Sequence, residues 1–346
     1  MKVLISVIIP VYNMSDSLEK CILSITRYQN RDIQIIIVDD GSTDNTLTIC
    51  NYMASLDDRI VVIHQNNQGS GPARNNGIKV ADGEYLLFID SDDRLSNNTI
   101  ETLICEIKKK KYDLFVFGYK IITPSKSVVE KKYRKKLLYG QKIRDNYSPF
   151  FNNMFVWGIQ GAPWNKLFKA DIVKNNGIVY PDLRRHQDEV FISRFINCVE
   201  TVMFLDSVLY IHYANDTNRI WSKYPEDYYS IVNQLYIYRQ KIIESWNYNN
   251  DIIKSLTYSE YINNTIRAMF KLFDNKRHYK IKERVLNYKQ MKKQFEFKNL
   301  DYPLEYLGWA KIFQNKLFVY FFKHNCYFCL DLLIRLRLAL FKRSCN

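Results

Sequence analysis

Residues 85–95 read YLLFIDSDDRL, and this stretch decides the fold. An apolar and aromatic run passes directly into three carboxylates, those of Asp90, Asp92 and Asp93. Short continuous apolar runs are typical of strands that are buried on both faces of a parallel sheet. The acids then lie where such a strand ends. They either form a turn with a helix cap or hold a cation.

The first 120 residues contain four more runs of this kind, separated by stretches with helical periodicity. Strands are predicted at residues 3–12, 33–40, 60–64, 85–91 and 112–119, and helices at 16–28, 44–56, 71–81 and 97–111. Asp16, Asp44 and either Asn97 or Asn98 are candidate caps of three of these helices. Strands that alternate with helices predict an α/β fold with a mostly parallel sheet and helices on both faces.

Polar clusters follow three of the predicted strands, at residues 10–13, 39–42 and 90–93. Ligands of open α/β sheets bind outside the carboxyl ends of the strands, so we expect a binding site at this edge. Asp90 and Asp92 stand two positions apart and can face the same cleft, whereas Ser91 faces away. Two carboxylates this close repel each other, and a divalent cation that also binds phosphate oxygens would relieve the repulsion.

The composition is that of a folded protein whose partners are anionic. The chain of 346 residues has a net charge of +14, which favours nucleotides, phosphorylated lipid headgroups or nucleic acid. Its seven cysteines are scattered and odd in number, which indicates a reduced, cytosolic protein. No signal peptide and no apolar run of 18 residues is visible, so we expect a soluble or peripheral protein.

The second part of the chain differs from the first, and we predict a catalytic domain at 1–220 and a helical extension at 221–346. Residues 309–346 carry seven Lys or Arg against one Asp, with aromatics and leucines at helical spacing. Such helices lie on an anionic membrane surface, or they pack against the catalytic domain or a partner subunit. Residues 126–144 carry eight Lys or Arg against one acid. They are a solvated loop or a docking surface.

Five motifs carry a resemblance to a known family. SVIIPVYN, IIIVDDGSTDNT, GPARNNGI, GEYLLFIDSDD and WNKLFKADIV occur in this order between residues 6 and 173. In this order and spacing the sequence resembles the inverting glycosyltransferases of family 2, which have the GT-A fold. The resemblance covers about residues 4–213. It implies transfer of a sugar from a UDP-sugar to a hydroxyl group.

The resemblance also implies roles for individual residues. The uridine would be held by Pro10, Val11, Tyr12 and Asp39, with Arg74 beside the nucleobase. Tyr12 offers a stacking face, and the carboxylate of Asp39 can accept from the N–H of the uracil edge.

Residues 90–92 match the DxD motif of the family and complete the implied donor site. Asp92 would bind Mn²⁺ or Mg²⁺, and Asp90 would lie near the metal and the ribose or donor sugar. Ser91 belongs to the same donor-binding stretch. His212 stands where some GT-A enzymes have a further metal or diphosphate ligand, with a structural histidine as the alternative. Trp164 would form the floor of the acceptor site or belong to the core.

The catalytic base implied by the resemblance is Asp188. Family members usually have Glu-Asp-x-x-Phe at the start of a helix below the acceptor, and residues 187–191 read QDEVF. Gln187 thus replaces the usual Glu, and Glu189 is a competing carboxylate. Side chains of adjacent helical residues point about 100° apart, so Asp188 and Glu189 cannot both serve one hydroxyl.

Other functions fit the sequence less well. A sugar-phosphate nucleotidyltransferase needs a glycine-rich basic loop after the first strand, and residues 10–17 contain no glycine. The same loop excludes a dinucleotide-binding fold. A non-catalytic basic module gives no reason for acids at one sheet edge, and we expect no nucleic-acid partner. By family habit the acceptor is a growing bacterial surface glycan, carried on a polyprenyl diphosphate at the inner membrane face.

Overall fold

The structure is a computed structural model that describes residues 2–147, 159, 161–214, 227–246, 251–273, 279–297 and 309–345. The chain divides into two units, Met1–Asp216 and Thr217–Asn346. The predicted boundary between residues 220 and 221 lies outside the described residues.

The first unit is built on a ten-stranded sheet. Its strands are β1 (Ile5–Val11), β2 (Ile33–Asp39), β3 (Ile60–His64), β4 (Tyr85–Phe88), β5 (Arg94–Leu95), β6 (Leu114–Ile122), β7 (Val128–Lys131), β8 (Lys136–Tyr139), β9 (Lys166–Lys169) and β10 (Thr201–Tyr213). The strand order is β3-β2-β1-β4-β9-β6-β10-β5, with β7 on β6 and β8 on β10. The strands β3, β2, β1 and β4 are parallel, as are β6 and β10.

The apolar runs explain why the centre of this sheet is parallel and covered on both faces. Every residue of β1 and of β4 is buried, as expected where helices lie above and below the sheet. The α/β fold with a mostly parallel central sheet is thereby confirmed. The sequence did not predict β9, which is antiparallel to both β4 and β6. It also did not predict the short strands β7 and β8, which lie within the basic stretch 126–144.

The first four helices of the first unit follow the predicted order, whereas the fifth and sixth were not predicted. The helices of this unit are α1 (Leu18–Thr26), α2 (Thr46–Leu56), α3 (Ser70–Val80), α4 (Thr99–Lys109), α5 (Gln141–Asp145), α6 (Ala170–Asn175) and α7 (Gln187–Asn197). Asn98 is confirmed as the N-cap residue of α4, whereas α1 and α2 begin after Ser17 and Asn45, one residue beyond the predicted caps Asp16 and Asp44. Asp44 still accepts from the backbone N–H of Thr46 at 3.0 Å.

Close packing of α3 on the sheet depends on one glycine. A Cβ atom at Gly77 would lie 2.5 Å from Cγ2 of Ile8 in β1, closer than side-chain contacts allow. The helix can therefore lie directly on the strand, which places Arg74, one turn earlier in α3, in the buried interior at the carboxyl edge.

The second unit is helical in its described residues, which confirms the predicted helical extension. Its helices are α8 (Tyr228–Ser245), α9 (Asp251–Phe270), α10 (Ile281–Lys292), α11 (Trp309–Lys323) and α12 (Tyr327–Cys345). Aromatic and aliphatic side chains bury one face of α11 and of α12, among them Phe318, Phe322, Leu330 and Ile334. In the described part of the chain no helix is both long enough and apolar enough to span a membrane.

Candidate active site at the carboxyl edge of the sheet

The loops that follow β1 and β2 are joined to each other by hydrogen bonds. The backbone N–H of Asn13 donates to Oγ of Ser42 at 3.0 Å, and the backbone N–H of Thr43 donates to Oδ1 of Asn13 at 2.8 Å. Tyr12 is 44% exposed at this edge. Pro10 and Val11, predicted to hold the uridine together with Tyr12, are the last two residues of β1 and are buried.

Asp39 is fully buried at the end of β2 and has one unsatisfied oxygen. Its Oδ2 lies 2.7 Å from Nδ1 of His64. Its Oδ1 has no hydrogen-bond partner among the described residues. A buried acceptor without a donor is costly, on the order of 1–3 kcal/mol, and a ligand N–H would satisfy it. The geometry of Asp39 therefore suits recognition of an N–H group at the predicted place.

Asp40 follows directly and has a structural role. Its Oδ1 accepts from the backbone N–H of Gln68 at 2.8 Å, and its Oδ2 accepts from the backbone N–H of Gly69 at 2.7 Å. These bonds fix the segment that leads into α3. The two consecutive aspartates of the VDDGS motif thus differ, since the second is occupied by the backbone and the first keeps a free oxygen.

Arg74 bonds to two carboxylates that are far apart in the sequence. Its Nη2 donates to Oδ1 of Asp90 at 2.7 Å, and its Nη1 lies 3.2 Å from Oδ1 of Asp188. The guanidinium also lies 5.3 Å from the ring centre of Tyr180. The expected place of Arg74 beside the nucleobase stays a prediction. Arg74 connects the DxD stretch to the predicted base.

Asp188 lies in the first turn of α7 and has a raised pKa. Burial raises the pKa of its carboxyl group, and the positive charge of Arg74 opposes that shift. The side chain is still 38% exposed, so an acceptor hydroxyl can reach it. A carboxylate with a raised pKa that remains accessible is the arrangement expected of a general base.

The neighbours of Asp188 in the QDEVF motif point elsewhere. Nε2 of Gln187 donates to Oγ of Ser70 at 2.6 Å, and a Cβ atom at Gly71 would lie 2.2 Å from Oε1 of Gln187. Glu189 is 12% exposed, and its Oε2 lies 3.6 Å from Nδ1 of His186. Asp188 contacts Arg74, and Glu189 lies beside His186, which favours Asp188 over Glu189 as the base.

The four residues 90–93 divide into two pairs by exposure. Asp90 and Asp92 are partly exposed, whereas Ser91 and Asp93 are buried. The backbone carbonyl of Ser91 accepts from Oγ of Ser17 at 3.2 Å. Ser91 therefore helps to hold the turn in place, and its burial agrees with the expectation that it faces away from the cleft.

Asp93 connects this turn to β10. It accepts from the hydroxyl of Tyr210 at 2.6 Å, from Nδ1 of His212 at 3.0 Å and from the backbone N–H of Tyr213 at 2.8 Å. Burial raises the pKa of Asp93, and the bonds from His212 and Tyr210 counteract that shift. The alternative that Asp93 caps the following helix is wrong, because α4 begins after Asn98 and the carboxylate is occupied by β10.

His212 and Trp164 lie together beside Asp93. The indole of Trp164 stacks on the rings of Tyr210 and His212, with ring centres 4.8 Å and 5.7 Å apart. The hydrogen bond with Asp93 raises the pKa of His212 and occupies Nδ1, so that Nε2 is the nitrogen left for a ligand. Trp164 also packs against the hydrophobic core. Its role in acceptor binding stays a prediction.

A divalent metal fits the donor set at this edge. The described residues contain no cluster of three or more His, Cys, Asp or Glu side chains that could hold an ion. Mg²⁺ and its substitutes commonly use one or two carboxylates and complete their shell with water and substrate phosphates. Asp92, with Asp90 beside it, supplies that number of ligands, so the residues present fit a metal that binds together with a diphosphate.

Sequence reasoning missed Lys166, which lies in the quoted WNKLF motif. This side chain is fully buried, and its Nζ donates to the carbonyl of Ala162 at 2.6 Å and to Oδ1 of Asn165 at 2.7 Å. Burial lowers the pKa of Lys166 to about 7, and the negative charge of Asp188 opposes the shift. A lysine within an apolar strand motif was the signal that could have revealed it.

Comparison with known proteins gives a family match over the part of the chain that carries Asp39, Arg74 and Asp90, but not Asp188 or His212. The family described as Glycosyl transferase family 2 matches residues 6–168. Glycosyltransferase GlyG of Streptococcus pneumoniae is 33% identical over 221 residues, which is 61% of this chain and 71% of GlyG. EpsJ of Bacillus subtilis, an uncharacterized glycosyltransferase, is 32% identical over 61% of each chain.

Solved structures show the same fold over nearly the whole chain. The crystal structure of residues 1–349 of Staphylococcus aureus TarS in complex with UDP-GlcNAc has a TM-score of 0.63 at 18% identity. The alignment covers 96% of this chain and 90% of that one. This likeness includes the helical second unit, which lies beyond the family match at residues 6–168.

Proposed function

The chain belongs to glycosyltransferase family 2, and on that premise we propose that it transfers a sugar from a UDP-sugar to a hydroxyl group of a bacterial surface glycan. The observation that carries this proposal is the bridge formed by Arg74. One guanidinium bonds to Asp90 of the DxD stretch and to Asp188, the candidate base. Donor and acceptor chemistry can therefore meet at one point of the sheet edge.

A UDP-sugar is the donor that these residues favour. The free Oδ1 of Asp39 would accept from the N–H of uracil, and exposed Tyr12 would supply a stacking surface for the ring. The solved structure of TarS with UDP-GlcNAc supports a donor of this class. The sugar itself stays open among glucose, galactose and their N-acetylamino forms.

We assign the metal to Asp92 and Asp90, with Nε2 of His212 as a further ligand, and propose Mn²⁺ or Mg²⁺. When bound, the ion would neutralise negative charge on the UDP leaving group. Asp90 is already bonded to Arg74 through Oδ1, which leaves Oδ2 for the donor or the ion. His212 is held by Asp93 and Trp164, which fixes the orientation of its ring.

Asp188 would act as the general base of a single displacement. Its carboxylate accepts the proton of the acceptor hydroxyl while the acceptor oxygen forms a bond to the anomeric carbon. The bond from that carbon to the β-phosphate oxygen of UDP breaks, and attack from the opposite face inverts the configuration. The raised pKa of Asp188 makes it a stronger base than an ordinary aspartate, and Arg74 keeps it in place.

The acceptor is the least defined part of the proposal. We propose a growing surface glycan, carried on a polyprenyl diphosphate at the inner face of the membrane. Support comes from relatives such as TarS, a poly(ribitol-phosphate) β-N-acetylglucosaminyltransferase that is 25% identical over 237 residues. The chain spans 71%, 61% and 32% of the length of the curated relatives GlyG, EpsJ and GlyA.

A donor-binding experiment tests the proposal. Isothermal titration of UDP should show binding that strengthens with Mn²⁺, and Asp92→Ala should abolish the Mn²⁺-dependent part. Asp206→Ala, an exposed aspartate of the same sheet in β10, is the matched control. Mass spectrometry of reactions with four UDP-sugars and a cell-envelope extract would then identify the product. Absent UDP binding, or binding indifferent to both Mn²⁺ and Asp92, would overturn the proposal.

A further inference from the structure

The second unit contains a small cavity between three of its helices, α9, α11 and α12. Its volume is about 270 Å³, and it is lined by Asn263, Ile266, Arg267, Phe270, Gln314, Arg337 and Leu340. Pockets for drug-sized ligands have volumes of roughly 300–1,000 Å³, so this one suits a smaller group. Among the described residues that line it are two arginines and no carboxylate.

Arg337 has hydrogen-bond partners but no charge partner. Its Nε and Nη2 both donate to Oε1 of Gln314, at 3.0 Å and 2.8 Å, and its Nη1 donates to Oδ1 of Asn263 at 3.3 Å. Within the described residues no acid lies at ion-pair distance from it. Burial and the nearby charge of Arg267 both lower the pKa of Arg337, which shows that its positive charge is not compensated.

Arg267 adds a second positive charge to the same cavity. Its Nη1 donates to Oδ1 of Asn264 at 3.1 Å and lies 3.9 Å from Oε1 of Glu260, at the limit of an ion pair. The side chain is 40% exposed. Two guanidinium groups that share a cavity repel each other. An anion bound between them would attract both and offset this repulsion.

The amide side chains of the cavity also present donors. Oε1 of Gln314 and Oδ1 of Asn263 face Arg337, which turns the NH₂ group of each amide away from it. Neither NH₂ group has a hydrogen-bond partner among the residues that the structure describes. Besides the two arginines, the amides of Asn263 and Gln314 therefore have N–H groups left to donate. This set of donors matches an anion with several oxygens.

We propose that this cavity binds a phosphate group, held between Arg267 and Arg337. Arginine presents a planar fork of N–H donors that matches phosphate oxygens, and the amides of Asn263 and Gln314 complete the donor set. This binding site is distinct from the sheet edge of the first unit, and it does not depend on the proposed transfer reaction.

An exposed apolar row on α12 favours a lipid headgroup as the source of that phosphate. Phe328, Leu332, Leu336 and Leu340 are spaced four residues apart, so they lie along one side of the helix. Each is exposed by more than half, from 54% to 73%. Leu340 lines the cavity at the end of the row. Apolar side chains that lead to a donor-rich cavity suit a helix lying at the headgroup level of a bilayer.

The test uses the full chain and removes the two cavity charges. Arg267→Gln with Arg337→Gln is compared with Lys289→Gln and Lys316→Gln, two exposed lysines of α10 and α11 that give the same net charge. One arm measures the thermal shift in potassium phosphate against potassium chloride at matched ionic strength. The other arm measures co-sedimentation with vesicles of phosphatidylcholine alone or with one quarter phosphatidylglycerol.

We expect phosphate to stabilise the wild type, and the arginine variant to require at least tenfold more phosphate for the same shift. The phosphatidylglycerol vesicles should bind the wild type and the lysine control but lose the arginine variant. A response to inorganic phosphate alone would support the cavity and identify a soluble phosphate ligand. Equal loss of vesicle binding in both double variants, or no response in either arm, would overturn the proposal.

A single variant protects the test against misfolding. Arg337 makes three hydrogen bonds, and its replacement could unfold the second unit. Arg267 is 40% exposed and donates one hydrogen bond, to Asn264, so Arg267→Gln alone should keep the fold, which circular dichroism would check. It should still weaken the phosphate response by several-fold, and an unchanged response in a folded Arg267→Gln variant would count against the site.

Discussion

Two buried arginines, Arg74 in the first unit and Arg284 in the second, bond to carboxylates in opposite ways. Arg284 donates from Nε and Nη2 to the two oxygens of Asp331, at 2.7 Å and 3.0 Å, and Tyr288 donates to the same carboxylate. These bonds lower the pKa of Asp331 despite its burial. Arg74 instead divides its bonds between Asp90 and Asp188, and its buried Nε has no partner among the described residues.

The difference separates a structural ion pair from a site that is prepared for a ligand. In the Arg284 cluster, which comprises Arg284, Asp331 and Tyr288, both carboxylate oxygens accept hydrogen bonds. The ion pair therefore has no oxygen left for a ligand. The Arg74 cluster comprises Arg74, Asp90 and Asp188. In it, Asp188 is bonded through one oxygen, remains partly exposed and has a raised pKa. Incomplete hydrogen bonding is costly in a stable fold, and it is the state that a substrate can complete.

Replacing Asp188 in the Arg74 cluster should lower activity more than any other substitution considered below. Asp188→Asn removes the base and should lower kcat by about 10²–10⁴-fold, the typical contribution of a positioned base. Glu189→Gln is the matched control, because Glu189 faces His186 and should retain activity within a few-fold. Product formation from the preferred UDP-sugar measures both. Loss of activity in Glu189→Gln with an active Asp188→Asn would assign the base to Glu189.

A substitution in the Arg284 cluster should lower the free energy of unfolding and leave catalysis unchanged. Asp331→Asn leaves the buried charge of Arg284 unpaired, and breaking such a pair costs about 3–5 kcal/mol. Glu244→Gln, an exposed acid on α8, should change stability by less than about 0.5 kcal/mol. Urea unfolding followed by circular dichroism gives both values. Equal midpoints for the two variants would show that the Arg284 cluster is not structural.

The sequence predicted the parallel part of the fold because its signals are local. Five apolar runs and the helices between them lie within about three residues of their predicted ends, and strands such as β1 are apolar because both faces are covered. The strand β9 was missed because four residues carry little pattern, and its pairing with β4 and β6 is set by tertiary contacts.

The residue types of the site could be predicted from the sequence, but the hydrogen bonds that join these residues could not. Family motifs brought Asp39, Asp90 and Asp188 to one edge, but no local signal showed that Arg74 would join two of them. Asp93 was equally hidden, since its partners lie about 120 residues later in β10. Hydrogen bonds between distant segments depend on the packed structure and leave no periodicity in the sequence.

Replacing Arg74 by lysine tests the same difference between the two clusters, because lysine keeps the positive charge and lacks the planar set of N–H donors. Arg74→Lys can bond to one carboxylate at a time and should lower kcat/KM by about ten- to hundredfold, the cost of one charged hydrogen bond. Arg284→Lys, the same change in the Arg284 cluster, should leave kcat/KM unchanged and lower the free energy of unfolding. Similar kcat/KM losses in both variants would remove the functional distinction.

The pH profile of kcat/KM gives a second measurement of the role of Arg74. Asp188 must be deprotonated to accept a proton, so its raised pKa should place the acidic limb of kcat/KM above the range of an ordinary aspartate. Arg74 holds this pKa down, and Arg74→Met should shift the limb to higher pH. A shift to lower pH, or none in a folded variant, would show that another group controls the limb.

Lys166 is a buried lysine near the Arg74 cluster. Its pKa is about 7 in the folded protein, against roughly 10.4 in an unfolded chain. Between these values the unfolded chain holds a proton that the folded protein lacks. Unfolding then takes up a proton, so this group makes stability rise with pH by up to about 1.4 kcal/mol per unit. Below pH 7 both states are protonated and the contribution is constant.

Lys166→Met should therefore flatten the pH dependence of stability between pH 7 and 9, whatever its effect on absolute stability. Lys20→Met, an exposed lysine of α1, should leave that slope as in the wild type. Urea unfolding at half-unit steps of pH measures the slopes. Parallel slopes for all three proteins would mean that Lys166 stays charged when buried, and that the carboxylate of Asp188 compensates it more strongly than its burial disfavours it.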